Sequence, residues 1–409
     1  MKEYTLTEFF YELDKDGLSE LCEDIGIPCE LDIKDAYISK LEDYFHNIDN
    51  FIMRMAVLND DELQMARALV EADGIHVDGS NMHIAVRLIN TRYFTLDNNH
   101  IYMMEEAKSL YSQVNLITFD TIRRVISGMN AVNYIVGVFY GAIPIMEYTK
   151  LYNSLYGTDL TNEQVLGYYN RIPRDLNPTI LYDGYVVDEM LCWKEDFNER
   201  MARQYNGDYY MLSKDEYNQY IRHKYIADEE CYNRLLQLLT DRAGNDIAEA
   251  FVVNLYNQLA MDYELLELLD KARIWGISVE SEEDYRLFIS LLVDAQYNTR
   301  LSRYNGYTLK EIAKKQGVKD PSANPSLVAK STPMAKIIKV MEKELRGIGV
   351  NVDITSNATT TYVYRMPGGI EGEVHVSTKT LYPRDYCPCG SGKLYRYCCK
   401  KDNVTKKDK

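Results

Sequence analysis

Four of the eight cysteines lie within thirteen consecutive residues near the end of the chain. Cys387 and Cys389 are separated by one proline, and Cys398 and Cys399 follow as an adjacent pair after eight further residues. Two thiolates one residue apart can hold one side of a tetrahedral ion, and the intervening segment is long enough to bring the second pair to the other side. Four sulfur ligands leave no open coordination position. The pattern therefore predicts a structural Zn²⁺ site without catalysis at the metal.

The residues between these cysteines suit a zinc site. Gly390 and Gly392 allow the backbone to turn tightly and bring its amides near the sulfur atoms. Four thiolates around Zn²⁺ leave a net negative charge, which the cations of Lys393 and Arg396 are placed to balance. The ring of Tyr395 can cover the metal from water. We expect these last three residues to surround the metal or to contact a partner.

The run from Cys387 to Cys399 resembles the SEC-C motif residue for residue: Cys-x-Cys-Gly-Ser-Gly-Lys, a tyrosine two residues on, and a final Cys-Cys pair. The resemblance covers only residues 383–401. In this family the motif ends SecA, the bacterial translocation motor, whose zinc-folded tail contacts the chaperone SecB, and it also occurs as an appended module in many other bacterial proteins. The resemblance implies zinc ligation by the four cysteines and a chaperone-like or ribosome-like partner. The resemblance does not imply the motor activity of SecA, because the chain has no Gly-x-x-x-x-Gly-Lys-[Ser/Thr] loop.

Charge is distributed unevenly along the chain. The whole sequence has a formal net charge of −16, whereas residues 384–409 carry eight Lys or Arg against three Asp. An acidic chain disfavours a general nucleic-acid coat or a membrane-surface protein, since both normally need net positive charge. A basic tail on an acidic body predicts that the tail docks on an acidic surface, which could be a chaperone, a ribosome or its RNA, or the body itself.

The rest of the composition describes a folded, non-secreted chain. Hydrophobic residues make up 46% and charged residues 26% of the sequence, which excludes global disorder. No apolar run approaches the ~20 residues of a membrane helix, and no signal-peptide pattern is present at the start. We expect a cytoplasmic protein with no membrane span. The six histidines show no metal-ligand spacing and no nucleophile motif is present, so we expect no enzyme activity.

Residues 1–50 predict a helical hairpin. Gly26 and Pro28 mark a turn between two helical patterns. The hairpin is similar to the SAP-type and Rho-N-terminal-type hairpins that often bind nucleic acid. However, ten acidic residues and three lysines lie between Asp14 and Asp43, and such a surface would repel phosphates. We expect a packing or protein-contact role. The predicted buried faces consist of Leu18, Leu21, Cys22 and Ile25 in the first helix and Ala36, Tyr37, Leu41 and Tyr44 in the second.

An order of helix, helix and hairpin then occurs twice. The first set comprises residues 60–72, 80–91 with Ser80 as the expected N-cap, and a hairpin over 93–103. The second comprises residues 145–156, 161–171 and a hairpin over 179–187, in which Asp183-Gly184 predicts a type I′ turn. This order is typical of winged-helix units.

A winged helix reads DNA through basic and amide side chains on its second helix. In the first unit this helix offers His83, Arg87, Asn90 and Arg92, of which Arg87 and Arg92 are the candidate nucleic-acid contacts. The second unit offers only Asn162, Gln164, Asn170 and Arg171. Both sets are small. We therefore favour a non-enzymatic binding or adaptor protein, with a nucleic-acid-binding regulator of transcription or phage defence as the alternative.

The remaining segments predict a helical bundle and a small mixed region before the tail. Ser213 and Glu216 have capping-box spacing, and Gly244 interrupts the helical pattern. The stretch from Asn298 to Thr308 is interpreted as a helix end. The expected fold class is mostly α and multi-domain: a helical hairpin (1–50), two winged-helix-like units (51–115 and 116–200), a helical bundle (201–316), a linker (317–336), a helix with a small sheet (337–382), the SEC-C zinc knuckle (383–401) and a basic tail (402–409).

Overall fold

The computed structural model describes residues 4–29, 32–189, 197–227, 229–261, 275 and 282–315. Within these residues the chain is mostly helical, with two small antiparallel sheets, as the sequence predicted. The linker over 317–336, the mixed region over 337–382, the zinc motif over 383–401 and the tail over 402–409 lie outside the described residues. The chain divides into two compact units: unit 1 comprises residues 1–137 and 141–200, and unit 2 comprises residues 138–140 and 201–409.

Unit 1 begins with three helices: α1 (Leu6–Glu12), α2 (Lys15–Ile25) and α3 (Lys34–Phe45). The side chain of Asp14 accepts a hydrogen bond from the amide of Gly17 and so caps α2. Gly26 ends the same helix with a φ of 81°, a left-handed conformation that favours glycine. The hairpin of α2 and α3 is therefore the one predicted, and its first helix buries the predicted apolar face.

The next segment of unit 1 contains one three-stranded sheet. Its elements are α4 (Ile48–Ala56), α5 (Asp60–Glu71), β1 (Ile75–His76), α6 (Met82–Asn90), β2 (Phe94–Asp97), β3 (His100–Met103) and α7 (Glu105–Gln113). The strand order is β1-β3-β2, with antiparallel pairing throughout. The expectation for Ser80 is wrong, because its amide and hydroxyl both donate to the carboxylate of Asp78, and Asn81 occupies the N-cap of α6.

The second segment with a sheet repeats this strand order. Its elements are α8 (Leu116–Phe139), β4 (Ala142–Pro144), α9 (Ile145–Tyr156), α10 (Asn162–Tyr169), β5 (Thr179–Tyr182) and β6 (Tyr185–Asp188). The strands are antiparallel in the order β4-β6-β5. Asp183 and Gly184 have φ values of 49° and 80°, which confirms the predicted type I′ turn.

The described part of unit 2 is helical. Its elements are α11 (Phe197–Arg203, which begins at the end of unit 1), α12 (Lys214–His223), α13 (Glu230–Ala243), α14 (Asn245–Ala260), α15 (Glu282–Asn298) and α16 (Leu309–Lys315). The predicted capping box of Ser213 and Glu216 begins α12, and Gly244 separates α13 from α14 with a φ of 84°. Helix α13 packs against both α14 and α15. The core between them is rich in tyrosine, with the rings of Tyr232 and Tyr256 5.3 Å apart.

No helix in the described ranges meets the length and hydropathy that a bilayer crossing requires. Even α8, at 24 residues, interrupts its apolar positions with arginine and asparagine.

Candidate functional site

The predicted metal ligands Cys387, Cys389, Cys398 and Cys399 lie outside the described residues, as do Lys393, Tyr395 and Arg396. Zinc ligation at the tail therefore stays a prediction. Among the residues that the structure describes, no group of three or more His, Cys, Asp or Glu side chains could hold a metal ion.

Two described cysteines are buried thiols of the core. Cys22 lies on the buried face of α2, and Cys231 lies in the first turn of α13. Burial raises the pKa of the Cys22 thiol to about 11 and that of Cys231 to about 12. Since the thiolate is the reactive form, both side chains are poor nucleophiles at neutral pH.

Helix α6, the second helix of the first winged-helix prediction, exposes two apolar side chains on one face. Met82 and Val86 are 42% and 46% exposed, and they lie four residues apart on one face. His83 and Asn90 are the exposed polar residues of the helix. Such a face suits contact with another protein better than contact with phosphates.

Arg87 on α6 is held against its own unit. Its Nε lies 3.2 Å from the carboxylate of Glu62 on α5, and its Nη1 donates to the hydroxyl of Tyr134 on α8 at 2.7 Å. The guanidinium also lies 5.4 Å from the centroid of the Tyr134 ring. With 24% of the side chain exposed, Arg87 mainly joins α6 to α5 and α8.

Arg92 has a different environment and is not brought together with Arg87 in one cluster. It follows α6 with a φ of 66°, in the left-handed region. Its Nε is buried and has no hydrogen-bond partner. The side chain lies at a small cavity beside β2. Of the two sequence-predicted arginines, this is the one whose guanidinium has no hydrogen-bond or ion-pair partner among the described residues.

Helix α10 occupies the corresponding place in the second segment. Asn162, Gln164, Asn170 and Arg171 are all exposed. Gln164 is already used locally, because its side chain accepts from the amide of Thr161 in a capping box. The remaining polar surface is small.

Unit 2 contains a buried ionic cluster centred on Arg300. Its Nε donates to the carboxylate of Glu216 at 2.9 Å, and its Nη1 donates to Glu311 at 3.0 Å and to the carbonyl of Gly306 at 3.1 Å. The guanidinium lies 3.5 Å from the centroid of the Tyr210 ring. This arrangement ties the start of α12 to the loop before α16.

The charge of Arg300 sets the ionisation of Glu216. Burial alone would raise the pKa of this carboxyl, but the positive charge of Arg300 and the hydrogen bonds from Ser213 hold the pKa below its usual value. Both partners therefore stay charged at neutral pH. The cluster therefore fixes the start of α12 against the stretch that contains Arg300.

The stretch from Asn298 to Thr308 is more than a helix end. Arg300 and Thr308 form an antiparallel bridge, and Asn305 has a left-handed φ of 54°. Asn305 is buried, and its side-chain amide nitrogen Nδ2 donates to the carbonyl of Tyr205 at 3.0 Å. The sequence singled out this stretch but did not reveal the buried ion pair of Arg300 with Glu216, which lies 84 positions away.

Comparison with protein-family models, with curated proteins and with solved structures finds no significant match to this chain.

Proposed function

We propose that this chain is a zinc-binding SEC-C protein that acts as a non-enzymatic adaptor in the cytoplasm. The observation that carries the proposal is the spacing of Cys387, Cys389, Cys398 and Cys399 around Gly-Ser-Gly-Lys. A closed Cys₄ site folds a short tail around its metal. The folded tail would then dock on a chaperone-like or ribosomal partner.

The charge pattern supports docking through the tail. Residues 384–409 are net basic while the rest of the chain is strongly acidic. Electrostatic attraction of such a tail to an acidic surface would speed and orient its association. Lys393, Tyr395 and Arg396, which lie between the ligand pairs, are the proposed contact residues.

We interpret both sheet-containing segments of unit 1 as winged-helix-like. The strand orders β1-β3-β2 and β4-β6-β5, each ending in a hairpin, support this interpretation. In the first segment the exposed Met82 and Val86 favour a protein contact over DNA reading. The ion pair of Arg87 with Glu62 also favours a protein contact over DNA reading.

Affinity capture from bacterial lysate tests the proposal. The tagged full-length chain is compared with a Cys398→Ser/Cys399→Ser variant and with a matched Cys29→Ser control outside the cluster, each with and without nuclease. The adaptor function predicts defined proteins that bind the wild type and the control, are lost with the double variant, and resist nuclease. Nucleic acid retained equally by all three would overturn it and support the alternative of a nucleic-acid-binding regulator that uses unit 1.

A further inference from the structure

A small cavity opens on unit 1 where the end of α6, strand β2 and helix α1 meet. Its volume is about 240 Å³, and its apolar walls come from Phe9, Ile89, Phe94, Leu96 and Met104. Phe94 and Met104 are buried, whereas Leu96 is 40% exposed. Pockets for drug-sized ligands measure about 300–1,000 Å³. The cavity therefore suits a single apolar group and not a whole cofactor.

Arg92 supplies the positive charge in this lining. The structure gives its guanidinium no ion pair or hydrogen bond with any described residue. Two carboxylates of the same unit have partners of their own: Asp97 accepts from the hydroxyl of Tyr4 at 2.6 Å, and Glu106 accepts from the amide of Leu6 at 3.0 Å. The guanidinium of Arg92 therefore lies beside apolar walls without an anion to pair with its charge.

The backbone at Arg92 provides an independent observation. Its φ of 66° follows the C-cap of α6, at a position where helices usually carry glycine. A side chain in this conformation strains the backbone, so glycine would fit the fold better. The chain nevertheless carries a guanidinium at this point, beside the cavity.

We propose that this cavity binds the C-terminal residue of a peptide or protein whose last side chain is apolar. The side chain enters between Phe9 and Leu96, and Arg92 holds the terminal carboxylate through charge-assisted hydrogen bonds. In a terminal residue the side chain and the carboxylate are attached to the same Cα atom. This matches the position of Arg92, whose side chain lies directly at the cavity. Thr95 supplies the other polar side chain of the described lining, whereas a sugar or nucleotide requires several convergent polar groups. The inference goes beyond the zinc-dependent docking and does not depend on it.

Fluorescence anisotropy with the full-length protein tests this site. The probes are short labelled peptides ending in phenylalanine or serine, each with a free carboxylate or a C-terminal amide. We expect saturable binding of the phenylalanine carboxylate alone. Arg92→Gly should weaken it at least tenfold while the protein stays folded, because glycine accepts the left-handed φ. Arg124→Ala, which removes an exposed arginine of α8, is the matched control and should bind as the wild type does.

Several outcomes would overturn the inference. Equal binding of the carboxylate and the amide would mean that Arg92 does not read the charge, and equal binding of phenylalanine and serine would mean that the cavity is not used. No saturable binding up to about 1 mM peptide would also overturn it. N-acetylphenylalanine carries the same side chain and carboxylate on one residue, so it should compete with the peptide. Failure to compete would contradict recognition of the terminal residue.

Discussion

Arg54 on α4 is completely buried and donates two hydrogen bonds, of 2.8 and 2.6 Å, to the carboxylate of Asp175. The two residues are 121 positions apart in the sequence. The Nε of the same guanidinium donates to the carbonyl of Thr91 at 2.9 Å. Although burial disfavours the charge, Asp175 keeps the pKa of Arg54 above its usual value. One cation therefore joins both sheet-containing segments of unit 1.

Removing either partner of this pair should destabilise unit 1 strongly. Asp175→Asn leaves the buried Arg54 without its counter-charge, and Arg54→Met leaves the carboxylate of Asp175 without its counter-charge. We expect each to lower the free energy of unfolding by about 3–5 kcal/mol, measured by urea denaturation with circular dichroism. The double variant Arg54→Met/Asp175→Leu is the control and should recover much of the loss, since it leaves no unpaired charge. Additive losses in the double variant would contradict this account.

The stability of unit 2 should fall in acid because of Glu216. The folded-state pKa of this carboxyl lies below its ordinary value of 4.5, so the unfolded chain binds the proton more readily. The stabilisation is fully present above pH 4.5 and is lost as the pH falls through the folded-state pKa. Urea denaturation at about pH 7 and about pH 4 should show a smaller change for Glu216→Gln than for the wild type. Equal changes in both proteins would exclude Glu216 as the source of the loss of stability in acid.

The tail should contain one tightly bound zinc ion. Elemental analysis of protein purified without added chelator should give one zinc per wild-type chain and none in Cys398→Ser/Cys399→Ser, because a Cys₄ site that loses two ligands no longer closes around its metal. The Cys29→Ser control should keep its zinc. A full complement of zinc in the double variant would show that the metal is bound elsewhere.

Replacement of Arg87 should affect folding more than ligand binding. Arg87→Ala removes the ion pair to Glu62 and the contact with the Tyr134 ring, and should lower the free energy of unfolding by about 1 kcal/mol. Electrophoretic mobility shifts with duplex DNA should not change beyond those of the control Arg124→Ala, which removes an exposed arginine of α8. Lost DNA affinity at wild-type stability would instead favour the nucleic-acid-binding alternative.

The sequence predicted elements well where the signal is local. The buried face of α2 follows from apolar spacing, and the turn at Asp183-Gly184 follows from two residues that tolerate positive φ. In α3 the phase was partly wrong, because Ile38 and Phe45 are buried where Ala36 and Tyr44 were expected. Several neighbouring large side chains in that helix leave the direction of its core face ambiguous.

Non-local features could not be predicted in this way. Strands β1 and β4 have two and three residues, too few to show an alternating pattern, and they form only by pairing with a later hairpin. The ion pairs of Arg54 with Asp175 and of Arg300 with Glu216 were missed because the partners lie 121 and 84 positions apart in the sequence. Among the candidate site residues, the sequence identified Arg87 and Arg92 by their charge. Only the structure shows that Arg87 is paired with Glu62 whereas the Nε of Arg92 has no hydrogen-bond partner.

The division of the chain has a consequence for how the protein is made. Phe139 and Tyr140 are fully buried in unit 2, yet the rest of that unit begins at Met201. The ribosome therefore releases these two rings well before Tyr220 and Tyr256, which contact Phe139. Because domains fold as units during synthesis, the core of unit 2 can close only late. Until then the nascent chain carries two uncovered aromatic side chains at the end of α8, where a chaperone could hold them.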